Sequence, residues 1–269
     1  MQRKPNLKWL RGVDWETSSR KDLAVFIAGA CLLMILGSLF LDLMVNEEER
    51  PMPDFALIDS IPERKQAFFE YMLPFVEQAN DELLKEREEV KGLLAAFDRK
   101  GSLSRRERSQ ADALLEEFSF DPVESYERQT FLDLLSRVDE IPPSLALSQA
   151  ALESAWGSSR FAREGYNLFG VWCYDPGCGM VPRKRTAGAT HEVRIYESPK
   201  DSFASYIRNL NTSRFYVGMR TLRRDLRSQG KTLSGHDLAM GLTRYSQEGW
   251  DYVAKVQSLI LSNKLERFD

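Results

Sequence analysis

Glu153 is the residue in this sequence best placed to do acid chemistry. It stands in the run Leu145 to Trp156, LALSQAALESAW, where almost every other residue is apolar or small. A lone carboxylate in such surroundings is costly to ionise, so its pKa should rise. A carboxyl group poised near neutrality is a general acid. Gln149, four residues earlier, shares its helix face. The plainer account is a buried glutamate that caps a loop or pairs with an arginine such as Arg160. Glu192, in HEVRIY, is a second candidate carboxylate, and its plainer account is a solvent-facing charge beside Arg194. In YNLFGVW, Asn167 and Gly170 suit a tight loop, where glycine lets backbone approach a ligand. Phe169 and Trp172 read either as core or as a stacking wall for the C–H face of a sugar. Gln149, Asn167, Phe169 and Trp172 are therefore the candidate substrate contacts. Tyr245, in RYSQEGWDYV, reads either as packing or as a loop tyrosine aimed into a groove.

Cys173 and Cys178 flank Tyr-Asp-Pro-Gly, a turn that brings them close enough to bridge, and outside the cytoplasm that disulfide should form. A metal site would need two more soft ligands; the only histidines are His191 and His236 and the third cysteine, Cys31, falls inside the uncharged run Leu23 to Leu41, so no metal is expected. His236 beside Asp237 has the look of a dyad but falls at a helix start, where it reads as a capping neighbour.

Several elements must position these groups. Pro142-Pro143 halts what precedes the central run, Ser144 is a good N-cap for it, and Gly157 is placed as its stop. A helix apolar nearly all round belongs inside a domain. From Met180 to Tyr196 the pattern changes to short extended segments, a hairpin around Thr186-Ala187-Gly188-Ala189. Alternation puts His191, Val193 and Ile195 on one face and Glu192, Arg194 and Tyr196 on the other. Ser198 and Asp201 form a capping box for a helix that carries Phe203, Tyr206, Ile207 and Leu210. A helix follows over about 215–228, a short one opens at Ser234, and a terminal one begins near Trp250 and Tyr252. Upstream, Ser60 and Glu63 cap a helix whose Phe68, Met72, Phe75, Val76, Ala79 and Leu83 share a face, with a kink expected at Pro74. Gly101 ends that pattern, and helices over 104–118 and 126–138 lead to the central one.

The 269 residues, 43% of them hydrophobic, suffice for one sizeable core with accessories. A net charge of −3 gives no reason to expect nucleic acid. Leu23 to Leu41 contains no charged residue, and nineteen residues rise roughly 28 Å as a helix, close to the hydrocarbon thickness of a bilayer. Basic residues precede this run and Glu47-Glu48-Glu49 follow it, so the N-terminus should stay in the cytoplasm. The expected order is a cytoplasmic segment (1–22), a single-pass anchor in the cytoplasmic membrane (23–45), a helical spacer (46–128) and an extracytoplasmic catalytic domain (129–269).

The stretch QAALESAWGSSRFAREGYNLFGVW resembles the signature of bacterial N-acetylglucosaminidases of the glycoside hydrolase family 73 type. With WCYDPGCG and HEVRIYESPKDSFASYIRNLN, and with the helical region before them, it is similar to the bacterial Bax-type proteins. The resemblance implies a mainly α, lysozyme-like domain with a small β-hairpin lobe across a groove. It also implies cleavage of the β-1,4 bond after N-acetylglucosamine in peptidoglycan, with no cofactor. Glu153 matches the family's general acid and Tyr245 its active-site tyrosine, though Tyr-Ser stands here for the usual Tyr-Ala. Glu192 falls in the hairpin region where members carry a second carboxylate. Two rivals remain. A lytic transglycosylase also needs one carboxylate but usually has a GLMQ-type stretch where this chain has NLFG. A non-hydrolysing, wall-binding scaffold would keep the groove without depending on Glu153.

Overall fold

The computed structural model describes Met34 and residues 51–185 and 188–269. Apart from Met34, the segment 1–22 and the anchor 23–45 lie outside the described residues. Among the described residues no helix is long and apolar enough to cross a membrane. Residues Pro53–Asp269 form one compact unit.

Helix α1 (Ile61–Lys100) is capped by Ser60, whose hydroxyl accepts from the Glu63 N–H, and it is stopped by Gly101 in the left-handed conformation. Pro74 sits inside without ending it. At 40 residues it is about 60 Å long. Its apolar stripe, from Phe68 to Ala96, is buried. Ser104 and Glu107 complete a reciprocal capping box at the start of α2 (Arg105–Glu117), and α3 (Arg128–Arg137) follows. The central helix α4 (Pro143–Glu153) is buried at every position from Ser144 to Ala151. After it come α5 (Arg160–Gly165), a small sheet, α6 (Pro199–Thr212), α7 (Val217–Ser228), α8 (Gly235–Leu238) and α9 (Trp250–Ser262). Among the described residues the fold is mainly helical with one small antiparallel sheet.

The sheet is more than the expected hairpin. Strand β3 (Glu192–Arg194) lies between β1 (Trp172–Cys173) and β2 (Gly179–Met180), antiparallel to both. Gly179 is required by close approach, since a Cβ there would stand 2.1 Å from the Val193 carbonyl oxygen. The expected alternation fails after Arg194, where β3 ends: Ile195 is 50% exposed and Tyr196 is buried.

The central helix also differs from expectation at both ends. Its N-cap is Pro142, and Ser144 lies in the first turn. There the Ser144 N–H and hydroxyl donate to the Asp269 carboxylate at 2.9 and 2.7 Å. That acid satisfies an orphan helix donor and complements the positive end of the helix. At the other end the helix stops at Glu153, not at Trp156. Ala155, Trp156 and Gly157 all take positive φ, reversing the chain at once.

From Pro53 on, the expected spacer belongs to the same compact unit as residues 129–269. Asn80 of α1 donates to the Ile141 carbonyl at 2.8 Å and accepts from the Ile141 N–H at 3.1 Å. Arg87 of α1 reaches Asp139, which also engages Arg223 and Arg227 of α7. The boundary near residue 128 is therefore not a seam in the packing.

Candidate active site

The turn after α4 is what presents Glu153. Two successive non-glycine residues at positive φ, Ala155 (51°) and Trp156 (58°), cost on the order of 1–3 kcal/mol each and must be held by their surroundings. Trp156 supplies the hold, packing edge-on against Phe68 and Phe69 of α1 with ring centroids 5.8 and 5.4 Å away. The Ser154 hydroxyl accepts from the Gly157 N–H at 2.8 Å, and the Phe55 ring fills the space where a Cβ of residue 157 would sit. Glu153 thereby becomes the last residue of a buried helix. At that end the helix dipole disfavours an anion.

Beneath the carboxyl runs a hydrogen-bonded chain with one direction. Tyr206 Oη donates to Gln149 Oε1 at 2.6 Å, Gln149 Nε2 donates to Tyr252 Oη at 2.9 Å, and Tyr252 Oη donates to Glu153 Oε1 at 2.7 Å. Tyr206, Gln149 and Tyr252 are all buried. With Oε1 held as an acceptor, the acid proton belongs on Oε2. Burial pushes the Glu153 pKa up, the Tyr252 hydroxyl pulls it partly back, and Glu248 raises it further. Among the described residues no cation pairs with it, and Arg160, the partner of the plainer account, bonds instead to the Val181 carbonyl.

Aromatic rings wall this chain. Phe169 stacks on Tyr206 with centroids 4.0 Å apart, Tyr245 stacks on Tyr252 at 5.3 Å, and Tyr216 tilts against Tyr245 at 6.0 Å. Burial holds the Tyr245 pKa well above its ordinary value, with the charges of Tyr252 and Glu153 adding to it, so its hydroxyl stays protonated. Among the described residues that hydroxyl has no hydrogen-bond partner, and the residue keeps partial exposure to solvent. Tyr245 is the group here that is free to meet a ligand.

The expected substrate contacts divide on exposure. Trp172 is 54% exposed and stacks on His191 at 3.9 Å, a platform open to solvent. Gln149 is fully buried and holds tyrosines on both sides. Asn167 is buried and ties its own loop to β3, donating to the Val171 and Arg194 carbonyls and accepting from the Val171 N–H. Phe169 is buried against Tyr206 and Phe203. These three position the site from behind and do not line its surface.

Glu192 is not joined to the Glu153 chain. Its two carboxylate oxygens accept from the Gly177 and Gly179 N–H groups at 3.2 and 2.8 Å, bracing the loop closed by the Cys173–Cys178 disulfide. Both sulfurs and the Glu192 carboxylate lie within 4.8 Å of one another, but sulfurs bonded to each other are not thiolate ligands. His236 and Asp237 are 3.5 Å apart on the surface at the start of α8. Sequence reasoning misses the surroundings of Glu153 formed by Tyr206, Tyr216, Tyr252 and Glu248. The one signal for it is Gln149, a polar side chain on an otherwise apolar helix face, which has to find buried partners.

Residues 129–265, just over half of the chain, match the family described as mannosyl-glycoprotein endo-beta-N-acetylglucosaminidase. The chain belongs to this glucosaminidase family. Its glucosaminidase domain is a glycoside hydrolase domain, and Glu153 and Tyr245 both fall inside the matched span. The chain is also 29% identical over 201 residues to the protein Bax of Escherichia coli (strain K12), covering 75% of this chain and 70% of that protein. The likeness to Bax thus extends beyond the glucosaminidase domain itself. Among solved structures, the catalytic domain of the autolysin Auto from Listeria monocytogenes matches with 20% identity and a TM-score of 0.36. The match covers 67% of this chain and 88% of that one, a likeness too loose to carry geometry across.

Proposed function

We propose that this protein is a membrane-anchored peptidoglycan hydrolase that cleaves the β-1,4 bond after N-acetylglucosamine, with Glu153 as general acid. The observation that carries the reading is the setting of Glu153: a carboxyl at the end of a buried helix, with no counter-cation among the described residues and one oxygen fixed by a tyrosine. The family supports an N-acetylglucosaminide as substrate. The uncharged run at 23–41 and the Cys173–Cys178 disulfide support an anchored, extracytoplasmic enzyme facing the wall polymer.

In this scheme Glu153 delivers its proton from Oε2 to the glycosidic oxygen as the bond breaks toward an oxocarbenium-like state. Oε1, held by Tyr252, keeps the carboxyl from rotating as charge develops. Tyr245 donates its free hydroxyl to the sugar at the cleavage point. Both oxygens of Glu192 are engaged by backbone, and Glu248 is ion-paired with Lys255 at 2.6 Å. We therefore assign the role of a second carboxylate to the substrate's own acetamido group, a recognised exception to the two-carboxylate scheme. Its oxygen bonds the anomeric carbon as the leaving oxygen departs with the Glu153 proton; water then displaces it, returning a proton to Glu153 and freeing the reducing end.

That single-carboxylate geometry also favours the second reading, a lytic transglycosylase. Mass spectrometry of strands digested by the full chain separates the two. Reducing N-acetylglucosamine ends are expected, whereas anhydromuramyl ends would establish the transglycosylase. Wall binding without any release would leave the scaffold reading.

A further inference from the structure

Between α3 and α7 lies a hollow of about 300 Å³ that the chemistry at Glu153 does not use. Arg220 lines it, with Arg137 and Arg224 beside it and Asp133 as the acid in its wall. A neighbouring hollow shares Arg220, Arg224, Asp133 and Ser136 with it. The other arginines of this region are engaged: Arg87, Arg223 and Arg227 surround Asp139.

Arg220 is different. It is 5% exposed, yet it makes no ion pair among the described residues. Nη1 donates to the Leu210 and Ser213 carbonyls at 2.9 Å each, closing the C-terminal end of α6. That accounts for one nitrogen. Nε and Nη2 donate to no described protein group, and neither is sealed from the hollow. Burial, with the Arg137 charge beside it, lowers the Arg220 pKa to about 10. A buried guanidinium with two open donors and a second cation close by is a seat for an oxyanion, which it can grip through two parallel N–H groups. Arg224, 62% exposed at its side chain, sits at the rim with only a long contact to Asp225 at 3.8 Å. Asp133 in the wall disfavours a dianion and leaves room for a single negative charge.

The hollow is joined to the aromatic wall of the active site through the chain at Tyr216 and Val217. Val217, which lines it, follows Tyr216, and the Tyr216 ring is 6.0 Å from that of Tyr245. Arg220 is four residues beyond Tyr216, about 6 Å of helix rise. We propose that this hollow binds a carboxylate of a peptidoglycan peptide stem, borne by a strand whose sugars lie at Glu153. The assignment rests on the peptidoglycan reading above and adds to it a preference for peptide-bearing strands.

The test uses the full chain and two probes, an N-acetylmuramoyl dipeptide with a free C-terminal carboxylate and the same compound as its amide. Titration by calorimetry is expected to show the acid binding roughly tenfold more tightly than the amide, the scale of one charge-assisted hydrogen bond. Arg224→Ala, which leaves both Arg220 bonds to the α6 end in place, and the conservative Arg220→Lys should shrink that ratio toward one. Equal affinity for acid and amide, or an unchanged ratio in both variants, overturns the proposal. So does inorganic phosphate displacing the dipeptide at equal concentration, which would mark a general phosphate site. A parallel digestion compares peptide-bearing strands with strands stripped of peptide. Cleavage of neither would sink the hydrolase reading while the binding ratio still stands by itself. Equal cleavage of both would sink the stem assignment alone.

Discussion

Two buried carboxylates in this molecule have opposite surroundings. Asp139, with 3% of its side chain exposed, is met by Arg227 at 2.8 Å, Arg87 at 3.5 Å and Arg223 at 3.7 Å. Glu153 meets a tyrosine hydroxyl and, among the described residues, no cation. The first arrangement joins α1 to α7 around the segment between α3 and α4. The second leaves the proton on the carboxyl to higher pH. Burial alone does not make a general acid; burial without a counter-charge does.

The sharpest way to break this contrast is Glu153→Gln. Glycan cleavage should fall by about 10²–10⁴-fold, read as product release, because proton donation is lost. The fold should meanwhile gain stability at neutral pH. The folded carboxyl holds its proton more tightly than the unfolded one, so the wild type loses stability as pH rises from the ordinary carboxylate range through the raised folded value. The melting-temperature advantage of the variant should therefore appear above that window and vanish below it. An advantage that persists at low pH would remove the raised pKa.

Asp139→Asn should do the reverse, costing stability without touching the chemistry. Leaving three arginines without their carboxylate is expected to destabilise the fold by about 3–5 kcal/mol in denaturant titrations. Tyr252→Phe falls between the two. It deletes the one hydrogen bond that favours ionised Glu153, so the pH at which cleavage declines on the alkaline side should move upward, with a loss of roughly tenfold in rate. An unmoved limb would show that Tyr252 merely packs. A subtler probe is Ala155→Gly, which should stabilise the fold by about 1 kcal/mol by relieving a positive φ. Since that turn presents Glu153, the same variant should slow cleavage modestly if the strain serves positioning.

Much of the molecule is legible in its amino-acid order. Ser60, Ser104, Ser198 and Ser234 each cap the helix their sequence announces, because capping is a contest among residues three apart. The Cys173–Cys178 pairing follows from a five-residue separation across a Pro-Gly turn. Glu153 stands out because one acid among apolar residues is a local anomaly. What escapes such reasoning is long-range. Ser144 has the residue type of an N-cap, but the capping group arrives from Asp269, 125 residues away. Gln149, Asn167 and Phe169 have the residue types of ligand contacts, yet they serve the site from beneath, since polarity in a sequence does not say whether a partner is protein or substrate.

The sequence by itself determined most helix starts, the disulfide and the family, because each rests on residues near one another in the chain. Only the tertiary structure decided where α4 ends, since the strained turn at Ala155 and Trp156 holds through Phe68 and Phe69 of a distant helix. It alone joined Tyr206, Gln149, Tyr252 and Glu153, which come from three separate helices, into one directed chain. Hydrogen bonds and packing at such separations form only when the whole core closes, and no local pattern encodes them.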